Sequence, residues 1–391
     1  MRRLLIVLVT VLVAAGVVGA VALASSPGGG NRSAPSQAAP APGPEVTYTP
    51  GPGQQADPAG HVSVHAADGT LEKVSLTGPH GHAVDGELSA DRSTWTSTDR
   101  VLDFGTTYTW HGRAVGGDGA ATPVRGTVVT AKPAHLVTGS INIGDGRTVG
   151  IAAPIEIQFD RHVEDRAAVE KVLKVTTSKR VEGAWGWLPD ENGGSRVHWR
   201  PKQYWPAGTK VQVAAPMKGV DLGGGAVVSD DLTSSFTIGR AQVVKADTRS
   251  FRMVVLRGGK QVASYPASYG LADDPERNTR SGIHVVSEKF TDKRMISEQY
   301  HYDTVEKWAV RMSNNGEFIH ANPKSAAAQG SSNVTHGCVN LSVDDAEAYY
   351  DSALYGDPVE VTGTPVKLAP RDGDIWDWTV PWDQWKTLSA L

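Results

Sequence analysis

The stretch Ser331-Ser332-Asn333-Val334-Thr335-His336-Gly337-Cys338-Val339-Asn340-Leu341-Ser342 decides how the C-terminal part of this 391-residue chain is read. Gly337 permits a tight backbone turn immediately before a thiol. Successive N–H groups can converge there as a nest, which favours an anionic sulfur and can hold an oxyanion. A helix near Val343–Leu354 should follow at once, with Ser342 and Asp345 in capping-box spacing at its start. Nucleophile and oxyanion hole can therefore share one loop.

Cys338 is the single cysteine. Met1-Arg2-Arg3 precede an uncharged apolar run from Leu4 to Ala24, closed by Ala22-Leu23-Ala24 and Ser25-Ser26-Pro27. That pattern describes an export signal, and a run of roughly 20 apolar residues equally suits an uncleaved membrane anchor. The expected location is the cell envelope, outside the cytoplasmic membrane, with the chain either secreted to the wall or anchored by residues 4–24. No cysteine stands close behind the run to carry a lipid. A lone cysteine in an exported chain forms no internal disulfide, which leaves a reactive thiol or a small buried hydrophobe.

Working outward from Cys338, the region from Arg240 has long apolar strands. They are Phe251–Leu256, a Gly258-Gly259 turn and Gln261–Tyr265, then Gly282–Ser287, Val305–Met312, Glu317–His320 and Val359–Thr362. Residues 363–391 carry Trp376, Trp378, Trp382 and Trp385. They read as an extension whose aromatics latch onto the catalytic domain, with carbohydrate contact as the other reading. Upstream, residues 46–132 show short period-two segments between turn clusters, the pattern of an Ig-like β-sandwich. Residues 133–239 repeat it. Trp95 followed by Phe104-Gly105-Thr106-Thr107-Tyr108 is echoed by Trp199 followed by Trp205-Pro206-Ala207-Gly208-Thr209, and Glu164–Val175 suggests a short crossover helix. Residues 25–45 are rich in Ser, Ala, Pro and Gly and read as a disordered linker. The fold expected is mainly β, two Ig-like domains and then a β-sandwich domain over residues 240–362 with one principal helix. A net charge of −4 without a basic block excludes a nucleic-acid surface.

A thiol needs a base. His336 is tied to the same tight loop and better braces it. His320 ends the segment Gly316-Glu317-Phe318-Ile319-His320, sharing a face with Phe318 by the two-residue period, and is the better base. Its ring needs a third group to fix the tautomer. No acid stands at an obvious spacing, and the backbone carbonyl of Ala321 suffices. One Cys and scattered His match no zinc spacing, so neither metal nor cofactor is expected.

His320-Ala321-Asn322 and, after a gap of about fifteen residues, Thr335-His336-Gly337-Cys338-Val339-Asn340 resemble the signature of YkuD-type L,D-transpeptidases. The tandem Ig-like units and the Trp382-Asp383-Gln384-Trp385 ending resemble the actinobacterial branch. The resemblance implies a cell-wall acyltransferase. Its thiolate attacks after the third residue of a peptidoglycan stem tetrapeptide, D-Ala leaves, and a neighbouring stem's amine resolves the thioester into a cross-link between third residues. Mapped onto this chain, it implies Cys338 as nucleophile and His320 as general base and acid. The carbonyl of Ala321 would orient the ring, and the N–H groups of His336, Gly337 and Cys338 would hold the oxyanion. Tyr302 would be a lid residue, Asn315-Gly316 would lie on the strand lining the cleft, and Thr335 and Asn340 would contact the stem. Met295 and Tyr300 are lid candidates by proximity. Carbapenem β-lactams are the implied covalent inhibitors.

Two departures from the family pattern stand out. Ala321 replaces a frequent Ser, with little effect expected because only its carbonyl is used. The family's Thr-Pro-x-Gly appears as Thr279-Arg280-Ser281-Gly282, a loss of Pro expected to relax a turn without touching a catalytic atom. Two rival functions use the same residues. One is an L,D-carboxypeptidase, in which water resolves the thioester if the lid between about Phe290 and Tyr302 admits it. The other is a wall-binding spacer without activity.

Overall fold

The computed structural model describes residues 42–370 and 375–391. The expected signal or anchor, residues 1–24, and residues 25–41 of the expected linker lie outside them. Each Ig-like unit packs two four-stranded sheets over an apolar core, and the second adds a small sheet of Asp221–Gly223, Ala226–Val228 and His135–Val137. In the first, Glu45–Thr49, Ser63–Ala67, Thr94–Ser97 and Gly86–Leu88 face Gln55–Ala56, Ala121–Thr130, Thr107–Gly116 and Gly69–Thr77. In the second, Gly139–Ile141, Ile155–Phe159, Gly194–Pro201 and Gly183–Glu191 face Thr148–Val149, Leu232–Ile238, Lys210–Ala215 and Lys174–Thr177. The crossover helix is shorter than expected, Arg166–Glu170, with Asp165 accepting the Ala168 N–H at 2.9 Å as its cap.

The echo between the units has a packing cause. Gly86 pairs with Ser97 and Gly183 with Pro201, each two residues beyond a core tryptophan. A Cβ at Gly86 would lie 2.0 Å from the Trp95 ring, and one at Gly183 would lie 2.0 Å from the Trp199 ring. Each glycine thus leaves room for an indole that fills the middle of its sandwich.

The second unit and the C-terminal domain dock through backbone. Gly150 N–H donates to the Tyr355 carbonyl at 2.7 Å and Ala152 N–H to that of Gly356 at 2.8 Å. A Cβ on Gly150 would stand 2.3 Å from the Asp357 nitrogen, so only glycine allows this approach. Arg240 then clamps buried Asp357 with both guanidinium nitrogens, at 2.9 and 2.6 Å.

The C-terminal domain is two sheets with one principal helix. Lys260–Pro266, Arg252–Arg257, Gln242–Asp247, Pro358–Thr362 and Gly282–Val285 form one sheet; Glu288–Ser297, Tyr302–Arg311, Phe318–Ala321 and Val339–Leu341 form the other. Val244, Val255, Val310, Ile319, Leu341 and Val359 fill the space between them. The helix Val343–Ser352 starts at Ser342, whose Oγ accepts the Asp345 N–H at 3.1 Å, with Asp344 and Asp345 opposing the positive helix end. Its buried face, Ala346 and Tyr349, backs the strands that carry the site.

Two expectations are corrected and one segment gains its structure. The lid segment, about Phe290–Tyr302, read without secondary structure from the sequence, is mostly strand: Glu288–Ser297 pairs antiparallel with Tyr302–Arg311, with Ser297 opposite Tyr302. It lacks clear apolar alternation because charge holds it, through Asp292–Lys307 at 3.0 Å, Glu288–Arg311 at 2.5 Å and Arg294–Asp303 at 2.6 Å. Asn315 and Gly316 lie in an exposed turn instead of a strand, bent by Gly316 at φ 92°. Finally, the extension divides instead of packing wholly on the catalytic domain: Thr364, Val366 and Leu368 bond to Thr279 and Ser281 there, while the tryptophans pack mainly on the second Ig-like unit. Trp385 is fully buried beside Leu188, its Nε1–H donates to the Ala184 carbonyl at 3.0 Å, and Trp378 donates to Ala152 at 2.9 Å. Gly186 leaves the space and Arg200 supplies a cation 4.8 Å from the Trp378 and Trp385 rings. Ile375 and Trp378 also join a cluster with Val285 and Tyr355 of the catalytic domain.

Candidate active site

Cys338 follows a turn that only glycine adopts easily: Gly337 has φ 111°, and an added Cβ would meet Glu317 Cγ at 3.4 Å. Thr335 Oγ1 donates to the Cys338 carbonyl at 2.7 Å, and Thr279 Oγ1 donates to the Gly337 carbonyl at 2.8 Å. Arg277 donates to the carbonyls of Val334 at 2.6 Å and Thr335 at 3.2 Å. These bonds fix the loop, and the sulfur is left half-buried, 3.5 Å from the Gly316 carbonyl oxygen.

Val339–Leu341 pairs parallel with Phe318–Ala321, with Asn340 opposite His320, which sets the imidazole beside the thiol. The His320 ring is 3% exposed. Its Nδ1 lies 2.9 Å from the Ala321 carbonyl oxygen, so Nδ1–H donates there and Nε2 is left for the sulfur. The same Nδ1 lies 3.6 Å from Glu306 Oε2. Burial alone would push the imidazole's pKa down; the Cys338 sulfur and the Glu306 carboxylate overcome it and push it up to about 10. Glu306, 8% exposed, is held below the usual carboxylate range: burial raises it, but the His320 bond and charge outweigh burial. Thr304 Oγ1 donates to Glu306 Oε1 at 3.0 Å.

A groove of about 270 Å³ opens over the sulfur, lined by Met295, Tyr302, Thr335, His336, Cys338, His320 and Asn340 among the residues anticipated. Asn340 is 3% exposed, its main chain bonded to Ser268 in both directions and its Nδ2 donating to Ser325 Oγ at 3.2 Å. The His336 ring packs against Tyr300 at 4.3 Å and Tyr302 at 5.5 Å, so it braces the lid hairpin onto the cysteine loop. Its pKa is lowered, by burial first and then by the positive Arg277. Tyr302 is raised, by burial first and then by negative charge on Cys338 and Glu306. Tyr300 and the Asn315-Gly316 turn are not among the groove's lining residues.

Sequence reasoning missed Glu306, Thr304, Asn322, Lys324 and Ser325, all of which line the groove. A signal existed for two of them: Tyr302, Thr304 and Glu306 fall on one strand face by the two-residue period.

Comparison with known proteins agrees with this architecture. Residues 241–361 match the L,D-transpeptidase catalytic domain family, and residues 53–221 match the bacterial Ig domain family. The chain therefore belongs to the L,D-transpeptidases, an acyltransferase family. It is 51% identical over 355 residues to L,D-transpeptidase 5 of Mycobacterium tuberculosis, covering 90% of this chain and 78% of that one. It is 39% identical over 337 residues to L,D-transpeptidase 2 of the same organism, covering 84% and 80%. A solved LD transpeptidase in complex with imipenem is 31% identical, covers 57% of this chain and 97% of that chain, and superposes with a TM-score of 0.48.

Proposed function

We propose that this chain cross-links peptidoglycan between the third-position diamino acids of two stem peptides, through a thioester on Cys338. The observation that carries the reading is the Cys338 sulfur at the floor of an open groove, beside an imidazole whose far nitrogen is fixed by the Ala321 carbonyl. The thiolate attacks the carbonyl of the third residue of a donor tetrapeptide. Charge develops on that oxygen where the N–H groups of His336, Gly337 and Cys338 converge. The C–N bond to D-Ala breaks, and His320 gives its proton to the leaving nitrogen. The acceptor amine then attacks the thioester, His320 takes the proton lost by that nitrogen, and the sulfur leaves as thiolate. Tyr302 and Met295 on the lid hairpin cover the groove, and Thr335 and Asn340 hold the stem.

The chain works outside the cytoplasmic membrane, delivered or anchored by residues 4–24, and the Ig-like units carry the site outward as spacers. A carbapenem, an amide activated by ring strain, acylates the same sulfur. The test uses purified protein with tetrapeptide stems. Mass analysis should find dimers joined through third residues, and imipenem should add one acyl group that Cys338→Ala abolishes. Tripeptide monomers alone, with acceptor amine in excess, would make the enzyme a carboxypeptidase. No adduct on the parent chain would leave only the spacer.

A further inference from the structure

His320 must both release a proton and recover it, and its surroundings do not stay constant between the two events. Before acylation the Cys338 sulfur and the Glu306 carboxylate both favour the protonated form of the ring. Once the sulfur is bound in a thioester, its contribution is gone. A buried imidazole with no adjacent anion resists protonation, because burial disfavours the imidazolium. The Ala321 carbonyl 2.9 Å from Nδ1 is a neutral dipole; it fixes the tautomer and favours the protonated ring less than either side chain does.

We propose that Glu306 is a positioning residue for the second half of the reaction: its carboxylate, 3.6 Å from His320 Nδ1, keeps the ring able to accept a proton while Cys338 is acylated. This rests on the thioester reading above. The carboxylate is built in. It is 8% exposed, receives the Thr304 hydroxyl at 3.0 Å, and holds its charge because the His320 interaction outweighs burial. The charged groups that act on the ring and its partner come from each neighbour in turn. The strand Tyr302–Arg311 gives Glu306, the cysteine loop gives Cys338, and the turn after His320 gives Lys324, whose positive charge helps keep Glu306 ionised. The Tyr302 phenol faces Cys338 and Glu306. The helix Val343–Ser352 packs behind, with Ala346 and Tyr349 on its buried face and Asp344 and Asp345 in its first turn. In the transfer step the new C–N bond forms, the C–S bond breaks, and the amine's proton moves to Nε2 beside a carboxylate that has been present throughout.

The experiment compares the full exported chain with Glu306→Gln and Glu306→Asp. Donor acylation is read as the mass of the acyl-enzyme formed before acceptor is added, and transfer as dimer formed afterwards, both from pH 5 to 10. Glu306→Gln should slow transfer about 10- to 100-fold and acylation by less, so that acyl-enzyme accumulates during turnover. Its acid limb should move to lower pH, since a ring without the carboxylate sheds its proton more readily. Glu306→Asp should recover part of the transfer rate, and it carries the test if the Gln variant does not fold. Equal slowing of both steps with an unmoved acid limb would make Glu306 merely structural and overturn the proposal, as would no change in either. A parent chain that takes no acyl group would instead overturn the thioester reading itself.

Discussion

Replacing Trp385 by Ala tests where the C-terminal tail belongs. The indole is fully buried beside Leu188, its Nε1–H donates to the Ala184 carbonyl at 3.0 Å, and Arg200 lies 4.8 Å from its ring. Deleting a buried tryptophan costs about 3–5 kcal/mol. The lost hydrogen bond, ~1 kcal/mol net, and the cation–π contact, ~0.5–2 kcal/mol, are part of that total and are not added to it. About 4 kcal/mol is the working value, and at 1.4 kcal/mol per decade it corresponds to roughly a thousandfold easier local opening. A single melting midpoint is unsuitable for a chain of several domains. Amide exchange resolved by segment is the right assay. Protection should fall in Gly183–Glu191 and Gly194–Pro201, the strands under the indole, and hold in Gln242–Asp247. Unchanged exchange in the first two, or a loss centred on Gln242–Asp247 and Pro358–Thr362, would refute the reasoning.

Gly337→Ala forces a Cβ onto a residue at φ 111° and against Glu317 at 3.4 Å, a strain of about 1–3 kcal/mol at the turn that aims the sulfur. Imipenem acylation, followed by intact mass, should slow at least tenfold while the Ig-like units keep their amide protection. His320→Gln should slow consumption of a tetrapeptide donor by roughly 10²–10⁴-fold. Since the ring's pKa lies near 10, well above its ordinary 6.5, the parent should keep the imidazolium through neutrality and lose donor consumption as pH rises past about 10. The buried pair of His198 and Asp377, with Nδ1 3.0 Å from Oδ1, ties the tail to the second Ig-like unit. Burial pushes His198 down, but Asp377 and Glu156 together more than reverse this, so the folded pKa is raised and the stabilisation is full below about pH 6.5. Exchange in Trp382–Lys386 should therefore quicken as pH rises above that value, after allowance for intrinsic exchange, and Asp377→Asn should flatten the trend.

What could be read from the sequence was what is local in it. The turn at Gly337, the cap at Ser342 and the strand bearing His320 are each set by a few adjacent residues, so the nucleophile and base were visible as types and spacings. Glu306 was legible only as a neighbour of Tyr302 and Thr304 on one strand face, because its place beside His320 depends on a hairpin whose pairing comes from ion pairs such as Asp292–Lys307. Neither strand of that pair shows the alternation that reports an apolar face. The glycines that make room for Trp95 and Trp199 had the same fate: the repeat of aromatics was plain, but Gly86 and Gly183 acquire meaning only across the sheet. The tail's aromatics announced burial without naming the surface, since Gly186 and Arg200 lie far from them in the chain.

The turn at Thr279-Arg280-Ser281-Gly282 bears on the cysteine through the residue before it, without touching the sulfur or the imidazole. Thr279 Oγ1 accepts the Gly270 N–H at 2.9 Å and donates to the carbonyl of Gly337, the residue before the nucleophile. Arg280 stands where the related pattern has Pro, and its backbone N–H donates to Glu317 Oε1 at 2.9 Å, a bond no proline can make. Its guanidinium adds an ion pair at 3.4 Å, and Ser313 Oγ donates to Glu317 Oε2 at 3.0 Å. Glu317 is 2% exposed and lies against Gly337. A ring that would stiffen this turn covalently is thus replaced by a buried carboxylate held by several donors. Removing one partner of such a group leaves a charge that the interior does not solvate. The rigidity of the cysteine loop consequently depends on Arg280 and Glu317 together, and a change at either reaches Cys338 through Gly337.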